Sequence, residues 1–282
     1  MKADLHMHGP IGLEPYWIKS QGYSQTGVLA PLIERCFEAE LGICAVTSEY
    51  NYTPQIPKGS MHDRLNFLVN HEANGLSSQY NVSWLGRDKN VFVIQKGNQY
   101  LFLVNSVVSH LGENGHEHNH LIIGTTQIPN WRRLEDTLEL ADKKNLISIA
   151  THPKSKSGLS FENIEKYRNK FDAIEGFDSQ LSPNDNDIAM DYARQNNLPW
   201  IAFSNAHRVK DAGISAIEFQ DELLNYASEE TFIRTLKRIV NDNNFTRITS
   251  QAPIWSKLDW RSKLQWGIRF HLKEIQQQGL VD

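Results

Sequence analysis

From residue 131 onward the chain repeats one pattern: an amphipathic stretch followed by a short apolar run that ends in polar residues. Apolar spacing predicts helices over 131–144, 161–170, 185–196 and 228–242. Between them, Leu146 to Ala150, Ala173 to Phe177 and Trp200 to Phe203 are short apolar runs of the kind that form strands buried on both faces. They end in Thr151-His152-Pro153, in Asp178 and in Ser204-Asn205-Ala206-His207. Alternation of this kind implies a parallel sheet with right-handed crossovers. A chain of 282 residues has room for one large α/β barrel. In a closed barrel the carboxyl ends of the strands converge on one face, which gathers those polar residues in one place.

The first half follows the same plan with more interruption. Met1 to His8 reads as a strand, and residues 9–25 form a loop that contains Glu14. Residues 27–41 read as a helix stopped at Gly42, and Ile43 to Thr47 as a buried strand leading to Ser48 and Glu49. Leu65 to Val69 fits either a strand delivering Glu72 or a helix. A β-hairpin insertion is expected at about 80–110, turning at Lys96-Gly97-Asn98. His120 leads directly into the apolar run Leu121 to Gly124, and His116 and His118 precede it at alternate positions. The expected barrel spans 1–250, with a helical extension over 251–282 packed on it.

The net charge is −4 with histidine neutral, so no global field draws nucleic acid or an anionic membrane to the protein. No window has the length and apolarity of a signal segment or a membrane span. Cys36 and Cys44 sit among apolar neighbours and read as buried free thiols. These features together imply a cytoplasmic protein.

Candidate chemistry starts at His6 and His8. Two imidazoles two apart on a strand share a face and can close on one ion. The remaining polar residues near predicted strand ends are Glu49, Glu72, His120, His152, Asn205 and His207. Imidazole and carboxylate without thiolate suit zinc, manganese or iron in a hydrolytic centre rather than a structural zinc.

Three segments, ADLHMH, THP and SNAH, occur in an order and at spacings that resemble the polymerase-and-histidinol-phosphatase (PHP) domain, over about residues 2–225. The resemblance implies a distorted (β/α)7 barrel, TIM-like and of PHP type, whose cleft holds up to three divalent metal ions and hydrolyses phosphate esters. It implies His6 and His8 on the first metal, His120 and His152 on the second with Glu72 bridging, and His207 on the third. Glu14, Glu49 and Asn205 stand near further ligand positions. Lys154 and Arg208, next to these motifs, would hold phosphate oxygens of a small phosphorylated substrate. Two departures matter: Thr47-Ser48-Glu49 aligns with a TDH triplet, and Asn205 replaces the aspartate of SDAH. A PHP-type domain that binds metal or ligand without turnover is the alternative they raise. An amidohydrolase-type barrel, which also opens on HxH, fits the SNAH ending poorly.

Overall fold

The computed structural model describes residues 1–8, 28–49, 64–110, 119–128, 133–153 and 158–252. Its strands are β1 (Lys2–Met7), β2 (Leu41–Glu49), β3 (Asn81–Trp84), β4 (Val91–Lys96), β5 (Gln99–His110), β6 (Asn119–Ile123), β7 (Ile147–Ala150), β8 (Ala173–Asp178), β9 (Trp200–Phe203), β10 (Ala216–Glu218) and β11 (Thr246–Ile248). Its α-helices are α1 (Leu29–Glu38), α2 (Arg64–Leu76), α3 (Leu134–Lys143), α4 (Phe161–Lys166), α5 (Pro183–Gln195) and α6 (Glu229–Asn241).

The strands form one sheet that curls into a nearly closed barrel in the order β1-β2-β5-β6-β7-β8-β9. β10 and β11 continue the sheet beyond the lower end of β1, and β3 and β4 flank β5. Closure comes where the chain leaves β9: Met7 bridges Ala206, and the buried Asp4 carboxylate accepts the backbone N–H of Ser204 (3.2 Å) and Gly213 (3.0 Å). Burial lifts the Asp4 pKa to about 6 against the pull of those hydrogen bonds.

The expectation of a parallel sheet holds for every barrel strand but one. β6 runs antiparallel to both β5 and β7. β5 ends at His110 and β6 begins at Asn119, a gap too short for the crossover that a parallel pair needs. The turn at Gly97-Asn98 joins β4 to β5 as the sequence indicates, but β5 is also the barrel's third strand, paired along its length with β2. Residues 64–76 are helical, not extended. Gly42 lies inside β2, and α1 is closed earlier, by Glu40 in the left-handed conformation (φ 57°). Ser160, Ser182 and Ser228 cap α4, α5 and α6 by accepting the backbone N–H three residues on. The expected extension beyond 252 lies outside the described residues.

Two layers of core fix which face of each strand looks inward. Ala3, Leu5, Ile43, Ala45, Phe102, Val104, Leu121, Ile123, Ile147, Ile149, Ile201 and Phe203 fill the barrel. Met7, Cys44 and Val46 face outward beneath α1. α6 packs Phe232, Ile233, Leu236, Ile239 and Val240 into the interior cluster. Its Lys237 Nζ donates to Leu146 O (2.8 Å), and Ile233 packs on Gly124, so the helix lies under the amino ends of the parallel strands. That end is plugged by α6; the carboxyl ends of the strands form the opposite end, called the mouth below. Among the described residues, no helix is long and apolar enough to cross a membrane.

Candidate metal centre

Two β-bulges build the mouth. On β1, Asp4 pairs with Cys44 and Met7 with Val46, so three steps on β1 match two on β2. Both of those pairs face outward, and the extra residue lets His6 turn inward beside Leu5. His6 then meets Phe203 edge-on (centroids 5.7 Å) and stacks on His152 (5.2 Å). His6 Nε2 and His8 Nε2 converge to 2.9 Å.

On β8, Glu175 pairs with Ile201 and Phe177 with Ala202, so Gly176 is the extra residue. A Cβ on Gly176 would lie 2.6 Å from the Trp200 ring, which makes glycine the residue that fits. Beyond the bulge Asp178 pairs with Phe203, so Glu175 and Asp178 both neighbour interior residues although they are three apart. Neither carboxylate was singled out as a ligand on sequence grounds. The signal was present in Glu175, an acid inside an otherwise apolar strand.

His152, just past β7, adopts a left-handed backbone (φ 48°), and its N–H donates to Glu175 Oε2 (2.8 Å). Its Nδ1 lies 2.7 Å from Glu175 Oε2 and 3.1 Å from Asp178 Oδ2. Burial works against a charge on this imidazole, but the two carboxylates outweigh it and raise its pKa to about 10. Glu175 shows the converse: burial pushes its pKa up, and the His152 charge beside it holds it well below the usual carboxylate range. Asn205 is also left-handed (φ 46°), and its Nδ2 donates to Asp178 Oδ2 (2.9 Å). Its Oδ1 is buried with no hydrogen bond. His207 stacks on His8 with centroids 4.5 Å apart and planes within 5°.

The mouth thus gathers His6, His8, His152, Asn205 and His207 of the expected set. His6, His152 and Glu175 offer ligand atoms all within 4.8 Å of one another and could hold a metal ion. Other expectations require correction. His120 faces outward, because Leu121 and Ile123 on the same short strand face in. Its Nε2 meets Ser148 Oγ (2.7 Å) and its ring stands edge-on to Phe171 (5.5 Å), outside the barrel. Glu72 is on α2 and its carboxylate accepts the N–H of Val28 (3.3 Å) and Leu29 (2.8 Å), capping α1. On the barrel strands themselves, the paired Thr47 of β2 and Ser106 of β5 share a hydroxyl–hydroxyl bond (3.0 Å) and supply no carboxylate. Arg208 is buried and engaged by both carboxylate oxygens of Asp211 (2.8 and 3.3 Å), which orders the turn after His207. Glu49 ends β2, but its side chain, like Glu14 and Lys154, lies outside the described residues.

His120 makes a prediction about acid stability. Burial lowers its pKa to about 3, against 6.5 for an ordinary histidine. Between those values the unfolded chain binds a proton that the folded chain refuses. The contribution is therefore complete above pH 6.5 and is lost as pH falls towards 3, at about 1.4 kcal/mol per unit. His120→Gln, which keeps a partner for Ser148, should lose less stability than the wild type between pH 7 and pH 4 in urea titrations. Equal slopes would mean that His120 titrates normally in the fold.

No protein-family model matches the chain, and no curated protein matches it. Solved structures do. One is a two-domain protein from Bacteroides vulgatus ATCC 8482 containing a predicted PHP-like metal-dependent phosphoesterase. It is 15% identical with a TM-score of 0.54; the match covers 89% of this chain and only 65% of the other. Another is PsfC from Pseudomonas syringae PB-5123, 11% identical with a TM-score of 0.53, covering 99% of this chain and 98% of the other. At these identities the likeness is one of fold.

Proposed function

We propose that this protein is a metal-dependent phosphoesterase acting on a small phosphorylated substrate at the mouth of the barrel. The observation that carries the reading is the convergence of four histidines with Glu175 and Asp178 at the carboxyl ends of the barrel strands. The donors fit divalent ions such as zinc, manganese or iron: two imidazole nitrogens meet at 2.9 Å, and the buried Asn205 Oδ1 has no hydrogen bond. His6, His8, His152 and His207 would hold up to three ions, with oxygen from Glu175, Asp178 and Asn205. Such ions would polarise phosphoryl oxygens and bring a water pKa towards neutrality.

The chain's own part is to fix the donors and direct access. Glu175 sets His6 and His152 against each other, with His6 Nδ1 at 3.3 Å from Oε1 and His152 Nδ1 at 2.7 Å from Oε2. Asp4, on the outer face of β1, anchors the segment bearing Asn205 and His207. α6 closes the opposite end of the barrel. The buried free thiols Cys36 and Cys44 suit a reducing cytoplasm.

The test is to strip the protein with a chelator, restore Zn2+, Mn2+ or Fe2+ separately, and assay p-nitrophenyl phosphate alongside a panel of phosphate mono- and diesters. Hydrolysis should vanish on stripping and return with metal. Metal binding without turnover on any ester would replace the reading with a PHP-type barrel that binds without catalysis.

A further inference from the structure

His152 holds a backbone conformation that its own sequence works against. A residue before proline is pushed towards extended backbone, and L residues seldom take the left-handed one. His152 precedes Pro153 and is left-handed, with φ 48°. A conformation of this kind persists only where its surroundings over-determine it. We propose that Gly158 is a positioning residue for His152: its bare Cα, closing against the His152 carbonyl, holds the imidazole in place beside His6 and Glu175. The inference rests on the metal-dependent reading above only for what the imidazole then does.

The contact is between two stretches of backbone. A Cβ on Gly158 would lie 1.8 Å from His152 O, 2.5 Å from His152 C and 2.8 Å from Thr151 O. None of those atoms can swing aside as the end of a side chain could. Gly158 is not among the glycines with left-handed backbone. The position therefore requires the missing Cβ rather than freedom in φ, a use of glycine where backbones approach closely.

The segment around Gly158 has anchors of its own. Gly158 bridges Asn119 at the start of β6, and the Asn119 carbonyl accepts the Thr151 hydroxyl (2.8 Å). Leu159 is fully buried in a cluster with Leu138, Ala150, Ile164 and Ile174, and Ser160 caps α4.

These attachments fix both peptide units that flank the His152 Cα. In the first, Thr151 O accepts the Leu159 N–H (3.3 Å), while the His152 N–H donates to Glu175 Oε2 (2.8 Å). In the second, the His152 carbonyl lies against Gly158. With both units held, φ and ψ of His152 are set, and so is the direction of its Cβ. The ring is thereby delivered to its stack on His6 (5.2 Å) and to Glu175, 2.7 Å from Nδ1. Any larger residue at 158 must displace the second unit, and the ring moves with it.

Thr151-His152 is the only Thr-His step in the sequence. Carbonyl-labelled threonine combined with amide-labelled histidine therefore isolates the His152 N–H in nuclear magnetic resonance spectra. In metal-stripped wild type this proton should lie at low field, as befits a donor to a carboxylate. Gly158→Ala should move it towards the ordinary amide range. The same variant should bind Co2+, followed by visible absorption, about tenfold or more weakly than wild type. Phe232→Ala, which destabilises the fold from the far end of the barrel, should change neither reading, so a purely structural loss is recognisable. Thermal melts establish that each variant folds. If Gly158→Ala does not fold, Leu159→Ala, which loosens the segment without adding an atom, is read in the same way, with a smaller displacement in the same direction. An unmoved His152 resonance, or Co2+ binding within about twofold of wild type, overturns the assignment. A displaced resonance in a protein whose wild type binds no Co2+ removes the metal-dependent reading and leaves the positioning of His152 standing.

Discussion

On the proposed reading, replacing His6 and His8 together by alanine should remove at least one equivalent of bound metal and lower phosphoester hydrolysis by about a thousandfold or more, the scale of losing groups that act on the transition state. The two rings are the closest pair of imidazole nitrogens in the centre, and each is stacked on a further histidine, His152 or His207. Their loss therefore removes two donors and loosens two more. The fold should survive, because both rings sit at the mouth while the interior cluster is aliphatic and aromatic below them. Metal analysis of the double variant, with a thermal melt alongside, checks the prediction. Full metal content in a folded variant would make these histidines structural.

Phe232→Ala should cost about 3–5 kcal/mol of stability and lower the melting temperature by roughly 10 °C. The ring is fully buried, meets Phe102 at 5.0 Å, and belongs to the helix that plugs the barrel. Truncation opens a cavity where α6 packs into the interior. The barrel strands above hold their pairing through backbone bonds, so metal binding at the mouth should be lost only on melting. Chemical denaturation of the two proteins measures the difference; a loss under about 1 kcal/mol would mean that the plug repacks.

How far the centre was legible in the sequence follows from strand parity. The alternation of helix and apolar run was enough to predict a barrel and to send His152, Asn205 and His207 to one end. It was not enough to tell which alternate residues face inward, since runs such as Leu121-Ile-Ile-Gly124 are apolar on both faces. His120 fell on the wrong side for that reason. Bulges are a second blind spot. The expected face pairing put His6 and His8 opposite Leu5 and Met7, whereas Leu5 and His6 both turn inward. The same alternation would send Glu175 and Asp178 to opposite faces, and the bulge between them is an irregularity that the residues alone do not announce. Glu72 failed for a different cause: a short apolar run fits helix and strand alike, and tertiary packing chose helix.

The staple between Asp4 and Ser204 spans 200 residues of chain. Closing a loop of that length from a flexible chain costs about 5 kcal/mol in entropy beyond its constant term, so the seam between β1 and the exit of β9 is the expensive step in folding. On a ribosome adding about 5–20 residues per second, β1 waits some tens of seconds for its partner segment. Throughout that interval its outer edge is an unpaired strand edge, open to pairing with another chain. The centre has the same history, since Met7 and Ala206 bridge between His8 and His207. Binding competence and barrel closure are thus a single late event in the life of the chain, and a lesion that slows closure delays the centre by the same amount.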